Sequence, residues 1–155
     1  MSLLGISTSV NAPPVSTADA YSTEFGSELV VDVASGVLSN DTDADVGDVL
    51  SAVLDTDVSN GTLTLESDGS FTYTPEAGFS GADSFDYVAN DATENSAVVT
   101  VTLTVGDAPN VPPVAVADEY STDFETPLVV EVASGVLSND TDGDVGDVLL
   151  SLIHI

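Results

Sequence analysis

Two acidic runs hold the residues best suited to chemistry in this sequence. Each run sets four carboxylates at nearly every second position, in the same order both times: Asn40-Asp-Thr-Asp-Ala-Asp-Val-Gly-Asp48 and Asn139-Asp-Thr-Asp-Gly-Asp-Val-Gly-Asp147. Like charges crowded into one turn repel, and a hard cation that takes roughly six to eight oxygen ligands relieves that repulsion. The spacing therefore predicts cation binding, with a merely solvated acidic turn as the alternative.

The acidic runs differ from the known calcium motifs in which one local segment supplies most of the ligands. Counting from Asp41 as in an EF-hand, the sixth residue is Val46 rather than Gly and the twelfth is Ala52 rather than Glu. The glycine-rich nonapeptide calcium repeat is absent from the sequence as well. We therefore expect ligands to come from several loops.

The charge balance limits the possible partners. The 155 residues include 27 Asp and Glu, no Lys or Arg and one His, which gives a formal net charge of -27. With no cation to neutralise phosphate, nucleic acid is excluded, and an anionic membrane surface repels the chain. No apolar run approaches the roughly 20 residues of a membrane span, so we expect no membrane insertion. Acidity for solubility alone, as in proteins adapted to high salt, is an alternative explanation.

Catalytic side chains are scarce. There is no Cys or Lys, and the one imidazole, His154, is next to the last residue, so we expect no Ser–His or Cys–His pair. A paired-carboxylate glycosidase stays formally open, but the acids lie between small residues, and four Tyr and five Phe are few for a sugar cleft. We therefore expect no enzyme. The hydrophobic fraction of 43% still favours a folded chain over a disordered one.

A duplication organises the chain. Residues 11–49 and 110–148 match at a constant offset of 99, with 29 of 39 positions identical. A period near 100 residues indicates one whole domain rather than a solenoid unit. We interpret the last six residues, which fit no repeat position, as a truncation or frame scar. The predicted organisation is an N-terminal tail at 1–10, a complete module at 11–108, and a linker with a truncated second module at 109–155, of which 150–155 is the non-repeat tail.

Between turn signals, apolar residues alternate with a period of two, which is typical of strands. Seven strands, labelled A to G, are predicted around Asp19–Thr23, Leu29–Val33, Leu50–Leu54, Thr62–Glu66, Ser70–Thr74, Ser84–Tyr87 and Val99–Val105. Seven short strands in about 95 residues predict an all-β, immunoglobulin-like Greek-key sandwich. The incomplete second copy has about two strands, and we expect that it cannot close a core.

Several motifs occur in a fixed order through nearly all of residues 11–149: Asn-x-Pro-Pro-Val, Ala-Asp-x-Tyr, Gly-Val-Leu-Ser-Asn-Asp-Thr-Asp-x-Asp, Asn60-Gly-Thr-Leu-Thr-Leu, Asp68-Gly-Ser-Phe-Thr-Tyr-Thr-Pro75 and Gly81-Ala-Asp-Ser-Phe-Asp-Tyr87. This order resembles the bacterial cadherin-like tandem repeat of large RTX-type secreted adhesins and biofilm proteins. The resemblance implies a cadherin-like sandwich, an extracellular or bacterial cell-surface location, and Ca²⁺ bound near module junctions. It also implies that neighbouring repeat modules in the same polypeptide are the partners.

Strand polarity divides the acids between two poles of the module. The B–C and F–G loops share the pole where strand A starts, and the A–B and E–F loops share the opposite pole. In eukaryotic cadherins, which this topology resembles, an A-strand acid, an E–F acid, linker oxygens and the next module's Asp-x-Asp share calcium. The candidate metal ligands are Asp41, Asp43, Asp45, Asp48, Asp91, Asp19, Glu24, Asp83, Asp107, Asn110, Asp118, Asp140, Asp142 and Asp144.

The predicted function is a calcium-stiffened spacer in an extracellular bacterial adhesin or biofilm surface protein. An alternative is an adhesive module that contacts a cell-surface glycan or protein directly. Exposed aromatic residues in a cleft would support that alternative. The alternation of Phe71, Tyr73, Phe85 and Tyr87 instead predicts that these aromatic side chains lie in the core.

Overall fold

The structure, a computed structural model, describes residues 10–144 and 146–151. The chain divides into two compact units, Met1–Ala108 and Pro109–Ile155. The predicted N-terminal tail, apart from Val10, and the last four residues of the non-repeat tail lie outside the described residues.

The described part of the first unit contains seven strands: β1 (Asp19–Thr23), β2 (Leu29–Val31), β3 (Ser51–Thr56), β4 (Gly61–Leu65), β5 (Phe71–Pro75), β6 (Gly81–Asn90) and β7 (Val99–Val105). They form a four-stranded sheet in the order β1-β7-β6-β3 and a three-stranded sheet in the order β2-β5-β4. Buried residues from both sheets make one hydrophobic cluster. The prediction of an all-β, seven-stranded sandwich is confirmed.

The pairing of β1 decides where the chain enters the sandwich. β1 runs parallel to β7, with Asp19 beside Val101 and Thr23 beside Val105. β3 runs antiparallel to β6, so that Ser51 at the start of β3 lies beside Asn90 at the end of β6. The residues that precede β1 therefore enter at the pole that also carries the β2–β3 and β6–β7 loops. This is the pole of the acidic run at 40–48.

The core is built from alternate residues of the strands. Phe71 packs edge-to-face against Tyr21 and Phe85, with ring centroids 5.0 and 5.5 Å apart. Such ring pairs add about 0.5–1.5 kcal/mol beyond the burial of area, and burying each large apolar side chain contributes about 1.5–3 kcal/mol. The predicted core positions of the aromatic residues are confirmed, since the largest fully buried side chains include Tyr73, Tyr87, Phe85, Leu103, Val37, Val101 and Val105.

The end of the second strand differs from the prediction. The alternation predicts strand B through Val33, but β2 ends at Val31 and the chain enters a short 3-10 helix, Val33–Ser35. The Asp32 side chain accepts a hydrogen bond from the Ser35 backbone N–H at 3.1 Å, which stabilises the turn, and Val33 is left 54% exposed. Periodicity cannot detect such a cap, because it depends on one hydrogen bond.

A close backbone approach follows this turn. A Cβ atom on Gly36 would overlap the carbonyl oxygen of Gly69, so only glycine fits there. The Val37 N–H donates to that same oxygen at 2.9 Å, and the Val37 side chain is fully buried. The segment between β2 and β3 is thereby fastened to the β4–β5 turn before the acidic run begins.

The second unit differs in kind from the first. In residues 109–144 and 146–151 no strand forms and no residue is buried. The described elements are a 3-10 helix, Val132–Ser134, and an isolated bridge between Val114 and Thr141. Its apolar residues remain accessible to water; Val132, for example, is 95% exposed.

We predict that amide hydrogens beyond Asn110 exchange rapidly in a dilute monomer, because two strand-length segments without a covered core lack the packing that protects amides. Amides of β2, β5, β6 and β7 should be protected, which provides the internal comparison. Hydrogen exchange read out by mass spectrometry measures both regions in one sample. Strong protection across residues 128–132 in such a monomer would contradict the prediction.

Candidate cation site

Three segments meet at the acidic pole. We call residues 10–17 the N-terminal strap and residues 40–48 the acidic loop; the third segment is the β6–β7 loop, residues 91–98. The strap and the acidic loop form a two-way bridge, in which Val15 N donates to Thr42 O at 2.8 Å and Thr42 N donates to Val15 O at 3.1 Å. Backbone pairing therefore ties the acidic loop to the strap.

Carboxylates complete the attachment of the strap. The Ala12 N–H donates to the Asp45 carboxylate at 2.7 Å, and the Thr17 N–H donates to the Asp41 carboxylate at 2.8 Å. The Asn11 side-chain amide donates to Asp91 at 2.9 Å, which joins the strap to the β6–β7 loop. Each of these bonds has an ionised acceptor, and such bonds are about twice as strong as neutral ones.

Within this frame, three carboxylates of the acidic loop come together. Asp43, Asp45 and Asp48 each offer one oxygen, and these oxygens all lie within 4.8 Å of one another. The Asp45 N–H donates to Asp43 Oδ1 at 2.7 Å and so fixes the orientation of the Asp43 carboxylate. Gly47, with a φ of +107°, makes the turn that brings Asp48 back towards the other two.

The second oxygen of Asp43 has no donor. Asp43 Oδ2 is buried and accepts no hydrogen bond from the described residues. A buried oxygen of an ionised carboxylate is costly without a partner, and the sequence offers no Lys or Arg to supply one. The atom is therefore placed as a cation ligand would be, next to the carboxylates of Asp45 and Asp48.

The pKa directions follow from these contacts. Loss of solvation and then the charges of Asp43, Asp45 and Asp91 raise the pKa of Asp48 above its ordinary value. The pKa of Asp91 is lowered instead, because its carboxylate accepts hydrogen bonds from the Glu94 backbone N–H and the Asn11 side-chain amide. Repulsion from the neighbouring carboxylates therefore acts on Asp48, whereas Asp91 is stabilised as an anion by its donors.

A second group of acids lies between the cluster and the core. The Tyr87 hydroxyl is 3.0 Å from Asp41 Oδ2 and 2.7 Å from the Val37 carbonyl oxygen, and its single proton serves one acceptor at a time. Asn40 donates to Asp19 Oδ1 at 2.9 Å, while the buried Asp19 Oδ2 has no partner among the described residues. Burial raises the pKa of Asp19, as does the charge of Asp41, against the effect of the Asn40 hydrogen bond.

The second unit repeats the geometry of the strap and the acidic loop. One oxygen each of Asp142, Asp144 and Asp147 lie within 4.8 Å of one another. The Val111 N–H donates to Asp144 and the Val116 N–H to Asp140, both at 2.7 Å. Because this unit has no buried core, the strap and its acidic loop form a local motif that does not depend on the sandwich.

The structure does not bring every predicted ligand to the acidic pole. Glu24 lies in the β1–β2 turn, where its carbonyl oxygen accepts from Ser27, and Asp107 follows the end of β7; both are exposed. Asp83 lies near the beginning of β6, and its buried carboxylate accepts hydrogen bonds from Ser59 N at 3.1 Å and Asn60 N at 2.8 Å. In the second unit, Asn110 is exposed and Asp118 is half-buried.

Asp83 is stabilised by donors from three parts of the module. Besides the β3–β4 loop, the Tyr73 hydroxyl donates to it at 3.1 Å and the Ser84 N–H at 2.9 Å. Burial opposes ionisation, but these hydrogen bonds outweigh it and lower the pKa of Asp83. Its two oxygens already accept four hydrogen bonds, so we leave Asp83 out of the proposed ligand set.

Asn11 is a residue of this site that the sequence prediction missed in the first module. The repeat carried the signal, since Asn11 matches the predicted ligand Asn110 at the offset of 99. The backbone N–H groups of the strap had no sequence signal, because every residue except proline carries one.

The family model for the bacterial cadherin-like domain matches residues 11–107, which is more than half of the chain. The chain belongs to this family. Cadherin-like domains are typically structural or adhesion modules without enzymatic activity, and they usually bind Ca²⁺. Comparison with curated proteins gave no match. In the part of the chain that the structure describes, no helix is long and apolar enough to cross a membrane.

The residues at the pole of this cadherin-like module fit the ion that its family usually binds. All three side chains of the cluster offer carboxylate oxygens as ligand atoms, and oxygen is the ligand type that Ca²⁺ prefers. The unpartnered Asp43 oxygen distinguishes this cluster from a solvated acidic turn, because carboxylate oxygens in such a turn would be hydrated. The residues that would hold it are Asp43, Asp45 and Asp48, with Asp91 close enough for its charge to act on Asp48.

We predict that Asp83→Asn lowers the free energy of unfolding of the module by about 1–3 kcal/mol, because an amide replaces one acceptor oxygen and leaves buried donors unpaired. Since the pKa of Asp83 is lowered in the folded state, its contribution is present above the pKa of the unfolded chain. It is lost as the pH falls through the folded value. Urea unfolding at neutral and acidic pH measures both effects.

Asp86→Asn is the matched control, because it removes the same charge from the same strand and keeps an acceptor for the Thr100 hydroxyl. Its effect should stay within about 0.5 kcal/mol. The difference between the wild type and Asp83→Asn should shrink in acid. Equal effects of the two variants at neutral pH would show that the four hydrogen bonds to Asp83 do not stabilise the fold.

Proposed function

We propose that the cadherin-like module is a calcium-binding structural repeat of an extracellular bacterial adhesin or biofilm surface protein, of the large RTX-type class. In this proposal the module acts as a spacer that calcium stiffens. The observation that carries the proposal is the buried, unpartnered Asp43 oxygen beside two further carboxylates, in a sequence that has no cationic side chain of its own.

The first ligand set is Asp43, Asp45 and Asp48. Bound calcium supplies positive charge that replaces repulsion among these carboxylates with attraction. Asp45 also accepts the Ala12 N–H, so ordering the acidic loop orders the strap. The strap is the segment through which the preceding linker enters the module, and the ion thereby fixes the direction of entry.

Proline limits the remaining freedom of this segment. Pro13 and Pro14 precede the bridge at Val15, and Pro112 and Pro113 precede the corresponding bridge at Val114. A backbone with φ fixed by proline loses less entropy on ordering than a glycine- or serine-rich linker does. Calcium therefore has less conformational entropy to overcome when it stiffens the entry.

The finer proposal concerns the junction between modules. In a chain with a complete second module, Asp107 and Asn110 would help to hold an ion with Asp140 and Asp142. The contact between Asn11 and Asp91 supports a role for Asn110, because Asn11 occupies the same repeat position next to the acidic pole of its own module. Without calcium, the like charges would repel and the junction would bend freely.

Direct binding of a glycan or protein by the module is the less favoured function. Carbohydrate sites commonly use aromatic side chains in a concave surface. Here Phe71, Tyr73, Phe85 and Tyr87 are at most 2% exposed, so their rings are committed to the core. This burial favours the spacer over the adhesive alternative.

We predict that calcium raises the melting temperature of the chain by several degrees and that Asp43→Ala removes most of the increase. Binding stabilises the folded state by about 2.7 kcal/mol at a calcium concentration about a hundredfold above Kd. Thermal melts with calcium and with chelator at matched ionic strength provide the measurement. Asp68→Ala is the control, because the Asp68 carboxylate accepts hydrogen bonds from its own turn. Identical wild-type melts under both conditions would contradict calcium binding.

We predict that a chain with two complete modules shows a longer and narrower distance distribution in small-angle scattering when calcium is present. Asp107→Asn with Asp140→Asn should abolish this change and leave both modules folded. Glu66→Gln with Asp68→Asn removes the same charge from the exposed β4–β5 turn, at the pole away from the linker, and should preserve it. If the modules bind calcium while the scattering stays constant, the ions are internal to each sandwich and the spacer mechanism is wrong.

A further inference from the structure

The first module consists of two parts, of which only the first recurs later in the chain. We call residues 11–49 the leading segment, residues 110–148 the trailing segment, and residues 51–105, which contain β3 to β7, the body. The leading segment supplies β1, β2 and the acidic loop to the body. The trailing segment is its copy, with 29 of 39 identical positions.

The identities include every apolar residue through which the leading segment enters the core. Val31 and Val37 are buried in the core cluster, and Tyr21, Leu29 and Leu38 pack against it. The substitutions between the two segments therefore fall elsewhere. The residues at the corresponding trailing positions are the same five: Val130, Val136, Tyr120, Leu128 and Leu137.

The polar contacts with the body are also largely retained. The acceptors of the Tyr87 hydroxyl are the Asp41 carboxylate and the Val37 carbonyl, and their counterparts are Asp140 and Val136. The side-chain contacts that are lost belong to Ser16, which bonds Ser96 and the Tyr87 hydroxyl and is replaced by alanine, and to Glu28, which bonds Thr74 and is replaced by proline. Neither Ser16 nor Glu28 belongs to the hydrophobic cluster.

The trailing segment repeats local contacts of the leading segment. The Tyr120 hydroxyl donates to the Ser134 carbonyl at 2.7 Å, as Tyr21 does to Ser35 at 2.8 Å. Its core residues nevertheless remain accessible: Leu128 is 50% exposed and Val136 is 44% exposed, whereas Val37 is fully buried.

We propose that the trailing segment completes the body of a second copy of this chain, in place of that copy's leading segment. The same chain cannot be the acceptor. Asn110 would have to reach the contact that Asn11 makes with Asp91, but it lies only five positions after Val105, a reach of at most about 18 Å. The seven residues of β7 alone span about 20 Å, and Asp91 lies past the start of β7.

Replacing the leading segment by the trailing segment of another copy leaves the contacts with the body nearly unchanged. The concentrations of the two segments therefore decide which of them occupies the body. The acceptor's own leading segment has the advantage of a covalent connection, equivalent to a high local concentration. The exchanged form therefore grows with protein concentration, and it dominates when the leading segment is impaired. The product is a dimer or a head-to-tail chain of copies.

Full-length variants at the buried valine test the proposal. Val37→Asp impairs the leading segment, Val136→Asp impairs the trailing one, and the double variant impairs both. We expect Val37→Asp to fold as a dimer or larger species whose melting temperature rises with concentration. Val136→Asp should melt as the wild type does, and the double variant should lose the cooperative melt. Adding wild-type chain, but not Val136→Asp chain, should restore folding to the double variant.

A Val37→Asp melt that is identical to that of the double variant, or that is independent of concentration, overturns the proposal. Size-exclusion chromatography with light scattering supplies the masses, and a folded Val37→Asp monomer overturns the assignment of a second copy. An aspartate in place of Val37 also disturbs the core. A second measurement therefore leaves the leading segment unchanged in the core.

Disulfide trapping provides that second measurement. Ser22 pairs with Thr104 in the β1–β7 register, and Ser121 is the trailing counterpart of Ser22. On oxidation at high concentration, Ser121→Cys with Thr104→Cys should form covalent dimers at least several times faster than Ser121→Cys with Thr100→Cys. Thr100 is equally exposed on the same strand, but about 13 Å from Thr104. Equal rates, or a cross-linked monomer, overturn the proposal.

Discussion

A carboxylate in this chain has no Lys or Arg to pair with, and this constraint shapes the whole module. Each acid that folding removes from water must receive N–H or O–H donors, or an ion from solution. Asp83 and Asp91 receive donors from neighbouring loops and have lowered pKa values. Asp43 keeps one buried oxygen without a donor. The sandwich thus supplies donors to Asp83 and Asp91 from its own loops, whereas the second oxygen of Asp43 is left to the medium.

Tyr87 connects the acidic pole to the core. Its ring is fully buried, whereas its hydroxyl lies between the Val37 carbonyl and the Asp41 carboxylate. Burial and the neighbouring Asp41 raise the pKa of Tyr87, so the hydroxyl remains a donor throughout the physiological range. A hydrogen bond therefore links the acidic loop to one of the largest core side chains.

Periodicity and the repeat predicted the fold because they depend on many residues at once. The alternation through Phe71, Tyr73, Phe85 and Tyr87 gave the correct core, and β1 and β7 have the predicted bounds. It failed at Val33, where a single Asp32 hydrogen bond ends the strand.

The site was less predictable than the fold. Residue type identified the acidic loop, and the structure brings Asp43, Asp45 and Asp48 together. Type alone could not separate Asp43, which lacks a donor, from Asp83, which has four, because those donors come from segments that only the folded chain assembles.

The parallel pairing of β1 with β7 has a mechanical consequence. The chain enters the sandwich at the start of β1 and leaves it at the end of β7, and these two points lie at opposite ends of one ladder. Tension applied between them slides the two strands along each other, so the five paired positions from Asp19 to Thr23 carry the load together. An antiparallel pair pulled from one end would instead open one bond after another. When the two ends of the module are pulled apart, this ladder therefore resists as a unit rather than opening bond by bond.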